Sequence, residues 1–425
     1  MYQKATVSGE MERMLVEMWQ QVLNLDDIGP EEDFFELGGD SIAAVRFTNM
    51  LQERLGQVVQ VTVLYEMSTI ARLAAYVAES YEGALATLGE HSRGLSSQAS
   101  RAPLTERDVD FVREKYAALY RFPADAQPGR KPVVQRRKNS RAVFLLCTPR
   151  SGSTLLRVML AGHHQLFAPP ELLLLPFYSL KQRKEKYFGD RGVWSEGIIR
   201  AIMEIKRCDG GEAKELLEHC QERDLTIQEF YALIQKWLGD RMLVDKSPSY
   251  SQSREVLQHA EDYFENPLYI HLVRHPGAMI RSYEEQRLDQ LSLSVKLGYS
   301  SRQLGELLWI LGHQNILGFL GTVPRARQCR VVFEDLVREP RRVMEQVCEF
   351  LKLEFDEEVL TPHQNKAQKM TDGPHALSRM LGDAKFHTFK SIDPTVADRW
   401  KYADQPLVVS DMAWRLAEEL GYERA

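Results

Sequence analysis

The sequence lacks long apolar runs, a cysteine framework and an N-terminal targeting segment. No stretch approaches the roughly 18 consecutive apolar residues that a membrane-spanning helix needs, and residues 1–10 have no apolar core of the kind found in signal peptides. The five cysteines are an odd number without a C-x-x-C pair, so we expect free thiols rather than disulfides or a zinc site. These absences favour a cytoplasmic protein without a membrane segment.

Acidic residues are also absent from one long internal stretch. The 425-residue chain has a net charge of -6, but residues 1–80 carry -8, which leaves +2 for residues 81–425. Between Asp125 and Glu171 there is no Asp or Glu, whereas Lys and Arg occur eight times. The chain therefore combines two different units, and the basic stretch predicts an anionic ligand nearby.

Apolar residues recur at helical spacing in three segments of the acidic unit. These segments are Glu10 to Leu23, Ser41 to Leu55 and Thr69 to Val77. A polar loop containing Gly and Pro, roughly residues 26–40, joins the first two. The spacing predicts a small bundle of helices.

The loop ends in the nonapeptide Asp-Phe-Phe-Glu-Leu-Gly-Gly-Asp-Ser, residues 33–41. It resembles the signature of acyl and peptidyl carrier proteins, which implies a four-helix carrier bundle with 4'-phosphopantetheine on Ser41. A helix N-terminus favours such a phosphodiester. A serine that only caps the helix would not account for the whole nonapeptide. A hydrolase nucleophile elbow would need a buried strand before Ser41, where the sequence has an acidic loop.

Composition divides the chain into residues 1–80, a linker over 81–140 and a second domain over 141–425. The linker is rich in Gly, Ser and Ala at its start and in Pro and basic residues at its end. Between these parts, Leu104 to Tyr120 predicts one helix capped by Thr105. A wholly flexible linker of this length would span about 45 Å root-mean-square and would deliver a tethered substrate.

The second domain opens with a predicted phosphate cradle. The apolar run Ala142 to Cys147 is typical of a strand buried in a parallel sheet. The turn Thr148 to Thr154 and a helical pattern follow it, so backbone N–H groups converge at a helix N-terminus. The Walker A pattern is absent, which disfavours an ATP- or GTP-dependent kinase.

A second buried-strand pattern, Leu268 to Val273, is followed by Arg274 and, eight residues later, by Ser282. Eight residues are slightly more than two helical turns, so both side chains can face one phosphate.

Together with the segments Met242 to Pro248 and Val331 to Leu336, these two patterns resemble the sulfotransferases that use 3'-phosphoadenosine 5'-phosphosulfate (PAPS). The resemblance implies a P-loop-like α/β domain with a central parallel sheet. It also implies that Arg274 and Ser282 bind the 3'-phosphate. The residues that would hold the 5'-phosphosulfate are Arg150, Ser151, Gly152, Ser153 and Thr154.

Sulfuryl transfer needs a base for the acceptor hydroxyl and cations at the transferred group. Glu171 resembles the catalytic glutamate of protein-tyrosine and polyketide-synthase sulfotransferases, and Arg150 and Lys246 match the family's cationic residues. We expect no metal, because fixed cations and dipoles take its part. Glu171 as a simple helix N-terminal acid is the alternative. His163 and His164 are interpreted as charges at a helix C-terminus.

The combination resembles the carrier–sulfotransferase units of polyketide and nonribosomal-peptide synthases. It implies sulfation of the β-hydroxyl of a carrier-tethered 3-hydroxyacyl chain, followed by thioesterase-linked decarboxylative elimination to a terminal alkene. The sequence has no G-x-S-x-G motif, so we expect a thioesterase in another protein or in sequence missing here, together with upstream synthase modules and a phosphopantetheinyl transferase. One alternative is permanent O-sulfation of a tethered or released product. An inactive module that docks nucleic acid or an acidic partner is disfavoured by the five candidate site residues Arg150, Glu171, Lys246, Arg274 and Ser282.

Overall fold

A computed structural model gives the fold of most of the chain. It describes residues 2–39, 41–55, 59, 63–64, 67–80, 103–120, 137–186, 195–286, 288, 297–372, 386–387, 389–402 and 408–424.

The N-terminal region is helical, as predicted. Its helices are α1 (Tyr2–Leu23), α2 (Ser41–Leu55) and α3 (Ile70–Ser80). The aromatic ring of Trp19 packs edge-on against Phe34 at 4.9 Å and against Phe47 at 6.2 Å in a buried core. The prediction of four helices is not decided, because most residues between α2 and α3 lie outside the described part of the chain.

The second domain has a central sheet of five parallel strands, which confirms the predicted α/β class. The strands are β1 (Val143–Leu146), β2 (Leu166–Phe167), β3 (Met242–Lys246), β4 (Leu268–Val273) and β5 (Gln328–Val332). Their order across the sheet is β2-β3-β1-β4-β5. All six residues of β4 are buried, as its continuous apolar run predicts.

Helices cover both faces of this sheet. They are α4 (Glu106–Tyr120), α5 (Ser153–Gly162), α6 (Leu180–Lys186), α7 (Glu196–Lys206), α8 (Gly210–Glu222), α9 (Ile227–Leu238), α10 (Arg254–Tyr263), α11 (Pro276–Glu285), α12 (Ser301–Leu320), α13 (Phe333–Arg338), α14 (Pro340–Leu351) and α15 (Asp411–Glu419). Successive β1 side chains point to opposite faces. Phe144 and Leu146 therefore join one core cluster, and Val143 and Leu145 join another. No helix in the described ranges combines the length and apolar character that crossing a membrane requires.

Helix α4 lies within the predicted linker but packs on the second domain. Its apolar residues Val109, Val112 and Tyr116 are buried in one cluster with residues of α12 and α15. At its edge, Arg113 Nη2 donates to Gln314 Oε1 at 2.8 Å. The predicted helix is therefore confirmed, and a wholly flexible linker is not what the structure shows. The flanking residues 81–102 and 121–136 lie outside the description.

Candidate active site

The predicted site residues follow neighbouring strands at one edge of the sheet. Glu171 comes shortly after β2, Lys246 ends β3, the cradle follows β1 and Arg274 follows β4. Because the strands are parallel, all these positions lie at the carboxyl end of the sheet. The chain passes from β1 to strands on one side of it, β2 and β3, and then to strands on the other side, β4 and β5. The order of the strands therefore reverses direction beside β1. Such a switch point is the usual ligand position in open α/β sheets.

The cradle is a tight turn built from two residues in the left-handed region. Arg150 has φ 59° and Gly152 has φ 83°. A Cβ atom on Gly152 would lie 2.1 Å from the ring of Phe333, so only glycine fits between the turn and this ring. Ser151 is fully buried, and its Oγ lies 2.7 Å from Thr148 Oγ1. Ser153 and Thr154 form the first turn of α5, whose N-terminal N–H groups suit an anion.

Arg150, Arg274 and Ser282 meet beside the cradle, and we call them the phosphate end of the site. Arg274 Nη1 donates to the backbone oxygen of Arg150 at 2.7 Å, and Arg150 Nε donates to Ser282 Oγ at 3.1 Å. The Arg274 guanidinium also lies 4.5 Å from the centre of the Phe333 ring. Arg150 thus joins the two residues expected at the 3'-phosphate.

A cavity of about 360 Å³ opens at the phosphate end. Its walls include Arg150, Arg274, Arg281, Ser282, Phe386 and Trp400. Guanidinium groups suit phosphates, and aromatic rings suit a purine, so this lining fits the adenosine bisphosphate portion of PAPS.

Sequence analysis missed Arg281 and Trp400 as lining residues. Trp400 stacks on His275 with ring centres 4.0 Å apart. Burial lowers the pKa of His275 to about 4, so the ring that supports Trp400 is neutral near pH 7. Trp400 lies more than a hundred residues after Ser282, and nothing in its sequence neighbourhood indicated this contact.

The predicted catalytic residues Lys246 and Glu171 lie together, and we call them the reacting end of the site. Lys246 Nζ lies 2.7 Å from Glu171 Oε1. The lysine side chain is only 2% exposed, whereas the glutamate side chain is 23% exposed and is accessible to a second group. The structure therefore pairs the predicted base with one of the predicted cations.

The backbone at Glu171 is packed closely against α7. A Cβ atom on Gly197 would lie 2.1 Å from the Glu171 carbonyl oxygen. The next residues are held by Arg183, which is 1% exposed and donates from Nη2 to Leu172 O at 3.2 Å and from Nε to Leu173 O at 3.1 Å. These contacts fix the course of the chain at Glu171 and at the two residues that follow it.

Cys147 ends the β1 segment next to the cradle. Burial raises the pKa of its thiol to about 12, although Lys246 acts in the opposite direction. The thiol therefore stays protonated near pH 7 and is not a nucleophile.

His163 and His164 lie with Asp356 in a cluster whose potential ligand atoms are within 4.8 Å of one another. His163 uses both ring nitrogens, because Nδ1 accepts from Gln165 N at 3.1 Å and Nε2 contacts Glu354 O at 2.9 Å. His164 pairs with Asp356 at 2.8 Å. The cluster lies at the C-terminal end of α5, and both ring nitrogens of His163 already have partners.

Residues 33–39 of the carrier-like nonapeptide form a tight turn ahead of α2. Asp33 Oδ1 accepts hydrogen bonds from Phe35 N at 2.8 Å and Glu36 N at 3.2 Å. A Cβ atom on Gly39 would lie 2.3 Å from the Phe34 ring, which explains the second glycine of the motif. Helix α2 begins at Ser41. The motif thus presents the predicted attachment residue at a helix N-terminus.

Two family profiles match the chain. The sulfotransferase family matches residues 142–357, about half of the chain, and the phosphopantetheine attachment site matches residues 13–77. The chain belongs to the sulfotransferase family. The predicted carrier–sulfotransferase combination and the enzyme class are therefore confirmed. So are the cofactors, PAPS for the sulfotransferase and phosphopantetheine for the carrier region.

Two solved structures are similar to this sulfotransferase in fold and sequence. The sulfotransferase domain from the Synechococcus PCC 7002 olefin synthase is 35% identical, with a TM-score of 0.62, and the match covers 70% of this chain and 100% of that domain. The sulfotransferase domain from the curacin biosynthetic pathway is 38% identical, also with a TM-score of 0.62, over 68% of this chain and 99% of that domain.

The carrier region is similar to segments of peptide and polyketide synthetases. A PKS-NRPS hybrid synthetase of Aspergillus candidus is 43% identical over 68 residues, and tyrocidine synthase 2 of Brevibacillus parabrevis is 40% identical over 75 residues. These matches cover 16% and 18% of this chain but only 3% and 2% of those synthetases. The chain thus spans a very small part of the curated relatives it matches.

Proposed function

We propose that this sulfotransferase transfers the sulfuryl group of PAPS to the β-hydroxyl of an acyl chain that phosphopantetheine tethers to Ser41. The observation that carries the proposal is the 2.7 Å contact between Lys246 and Glu171 at the edge of the sheet that also carries the phosphate end. It puts a carboxylate and a buried cation side by side where a hydroxyl and a phosphosulfate would meet.

Each residue has a distinct role in this proposal. PAPS supplies the sulfuryl group. Arg274 and Ser282 bind its 3'-phosphate at the cavity. Arg150, beside them, and the cradle residues Ser151 to Thr154 hold the 5'-phosphosulfate. The partly exposed Glu171 accepts the proton of the attacking hydroxyl as the new O–S bond forms. Lys246 faces the oxygen on which negative charge grows as the old S–O bond breaks.

The sulfate ester is a leaving group in the next proposed reaction. A separate thioesterase hydrolyses the thioester, and loss of carbon dioxide and sulfate then leaves a terminal alkene. Support comes from a relative, since a domain with 35% identity belongs to an olefin synthase. Upstream synthase modules supply the 3-hydroxyacyl chain, and a phosphopantetheinyl transferase supplies the arm.

We also propose that the sulfotransferase domain includes helix α4. This helix begins at Glu106 and is packed on that domain, so it belongs there rather than with the linker over 81–140.

Intact-mass measurement of the full chain tests the proposal. The phosphopantetheinylated protein is loaded with 3-hydroxybutanoyl or 3-hydroxydodecanoyl and incubated with PAPS. We expect the arm to gain one sulfuryl group, and Ser41→Ala and Glu171→Gln to abolish the gain. Glu218→Gln, an exposed glutamate on α8, is the matched control.

Two results would contradict parts of the proposal. If PAPS bound but neither arm gained mass, the tethered 3-hydroxyacyl acceptor would be wrong. If the arm gained mass but an added thioesterase released a stable sulfated acid and no alkene, permanent O-sulfation would replace elimination.

A further inference from the structure

A buried carboxylate lies directly behind the reacting end of the site. Asp245 precedes Lys246 on β3, is 1% exposed and is not assigned a role above. Three hydroxyl groups donate to it. Tyr231 and Tyr250 donate to Oδ2 at 2.5 and 3.1 Å, and Ser247 donates to Oδ1 at 3.4 Å.

Two of these hydroxyls also accept hydrogen bonds from the chain that follows Glu171. Ser247 Oγ accepts from Leu173 N at 3.2 Å, and the Tyr250 hydroxyl accepts from Leu174 N at 2.8 Å. Leu173 has φ 52°, an unfavourable value for a leucine, so this conformation must be held by its surroundings. The N–H groups of the segment are therefore tied to Ser247 and Tyr250.

The carboxylate decides which way these hydroxyls point. A hydroxyl has one proton to donate, and an ionised carboxylate only accepts. When Ser247 and Tyr250 donate to Asp245, their lone pairs are left for the N–H groups of Leu173 and Leu174. The buried charge of Asp245 thus orients the two hydroxyls that bind the segment after Glu171. The backbone joins Asp245 directly to Lys246.

We propose that Asp245 is the positioning residue that holds Glu171 against Lys246, acting through Ser247 and Tyr250. The inference rests on the proposed roles of Glu171 and Lys246. It gives a reason for a buried carboxylate at this position, which is otherwise costly. Burial raises the pKa of Asp245 to about 6, so the group is ionised near pH 7, where the arrangement needs it.

The two tyrosines offer a matched pair for the test. Both are fully buried and both donate to Asp245 Oδ2, but Tyr250 also accepts from Leu174 N. Tyr231→Phe removes a hydrogen bond to the carboxylate and leaves the link to the Glu171 segment intact. Tyr250→Phe removes a hydrogen bond to the carboxylate together with that link.

The measurement is single-turnover sulfation of the full chain carrying a 3-hydroxybutanoyl or 3-hydroxydodecanoyl arm. We expect Tyr250→Phe to lower the rate at saturating PAPS about ten- to hundredfold, the size of effect caused by misplacing a reacting group. The PAPS concentration that gives half of this rate should not change. Tyr231→Phe should leave both values near those of the wild type, although both variants lose thermal stability.

Equal rate losses in the two tyrosine variants would overturn the inference, as would a Tyr250→Phe defect confined to PAPS affinity. If Tyr250→Phe does not fold, Ser247→Ala takes its place, and Ser247→Thr, which keeps a hydroxyl, should restore the rate. The inference would then be overturned if the sulfation rate of Ser247→Thr were no higher than that of Ser247→Ala. Glu171→Gln separates the two proposals. If Glu171→Gln reacts at the wild-type rate, the proposed base is wrong. If Glu171→Gln loses activity but the two tyrosine variants have equal rates, only the positioning role is wrong.

Discussion

At the phosphate end of the site, Arg150, Arg274 and Ser282 line a cavity, whereas at the reacting end Lys246 is nearly inaccessible. The phosphate end has two long cationic side chains, Arg150 on a turn and Arg274 just after a strand, together with a serine on a helix. The reacting end lies on β3 and on a segment that buried hydrogen bonds tie to the residues following β3. The two ends therefore differ in how accessible their cations are.

The difference corresponds to two tasks. A phosphate is bound in the same way before and after transfer, so its cations need only bind it and release it. The reacting groups must instead be preorganised toward charge that exists only in the transition state. Substitutions at the phosphate end should thus change affinity, and substitutions at the reacting end should change rate.

The largest expected effect is at Glu171. Glu171→Gln keeps the shape of the side chain but cannot accept the proton, so the single-turnover rate should fall about a thousandfold, within the usual contribution of a general base. Binding of adenosine 3',5'-bisphosphate, measured by calorimetry, should stay the same. Weaker binding with an unchanged rate would reverse the assignment of the two ends.

The next effect concerns the folding stability that is lost by burying Asp245 behind the reacting end. Burial raises the pKa of Asp245 from 3.8 to about 6, despite its hydrogen bonds from tyrosine and the nearby Lys246 charge. Between these two pH values the folded state binds more protons than the unfolded state, so this contribution to stability is complete below pH 3.8 and is lost as pH rises through 6. The pKa difference corresponds to about 3 kcal/mol.

Asp245→Asn removes this titration. As pH rises from about 4 to 7, the wild type should lose about 3 kcal/mol of its free energy of unfolding through this group, and the variant should not. The sulfation rate of the same variant should fall. Parallel stability curves for the two proteins over this pH range, measured by urea denaturation, would show that Asp245 does not carry this cost.

Arg274 is expected to give a smaller effect, on binding. Arg274→Ala should weaken binding of adenosine 3',5'-bisphosphate about ten- to hundredfold, the contribution of a charge-assisted hydrogen bond. Arg274→Lys should recover only part of the affinity, because a lysine does not present the same planar donor group. Arg341→Ala, which alters an exposed ion pair, is the matched control. An equal loss in that control would point to general electrostatics.

Much of this fold could be predicted because its signals are local. The apolar runs of β1 and β4 and the helical spacing of α4 depend on neighbouring residues, and the structure confirms all three. The layout of Glu171, Lys246 and Arg274 also follows from strand ends in a parallel sheet. Spacing placed Arg274 and Ser282 together, but the structure inserts Arg150 between them, because the left-handed turn directs its side chain there.

The remaining features depend on contacts between distant segments. Tyr231 lies on α9, 14 residues before Asp245, and no local pattern links it to the reacting end. The docking of α4 depends on α12, which lies about 200 residues later and contributes buried apolar side chains and the hydrogen bond between Arg113 and Gln314. Such partners become visible only when the elements are packed.

The smallest expected effect tests how tightly the reacting end is packed. Gly197→Ala should favour helix α7 by about 1 kcal/mol, but its Cβ would lie 2.1 Å from the Glu171 carbonyl oxygen, a clash that typically costs about 1–3 kcal/mol. A net loss of about 1 kcal/mol in urea denaturation is expected. Gly318→Ala on α12, where the nearest atom would lie 3.6 Å from the new Cβ, should instead gain stability. Because the clash falls on the backbone of the proposed base, the sulfation rate should fall in Gly197→Ala alone, with unchanged PAPS affinity. An unchanged rate would mean that the Glu171 segment can shift without slowing the reaction. The phosphate end and the reacting end would then differ only in the charges that they carry.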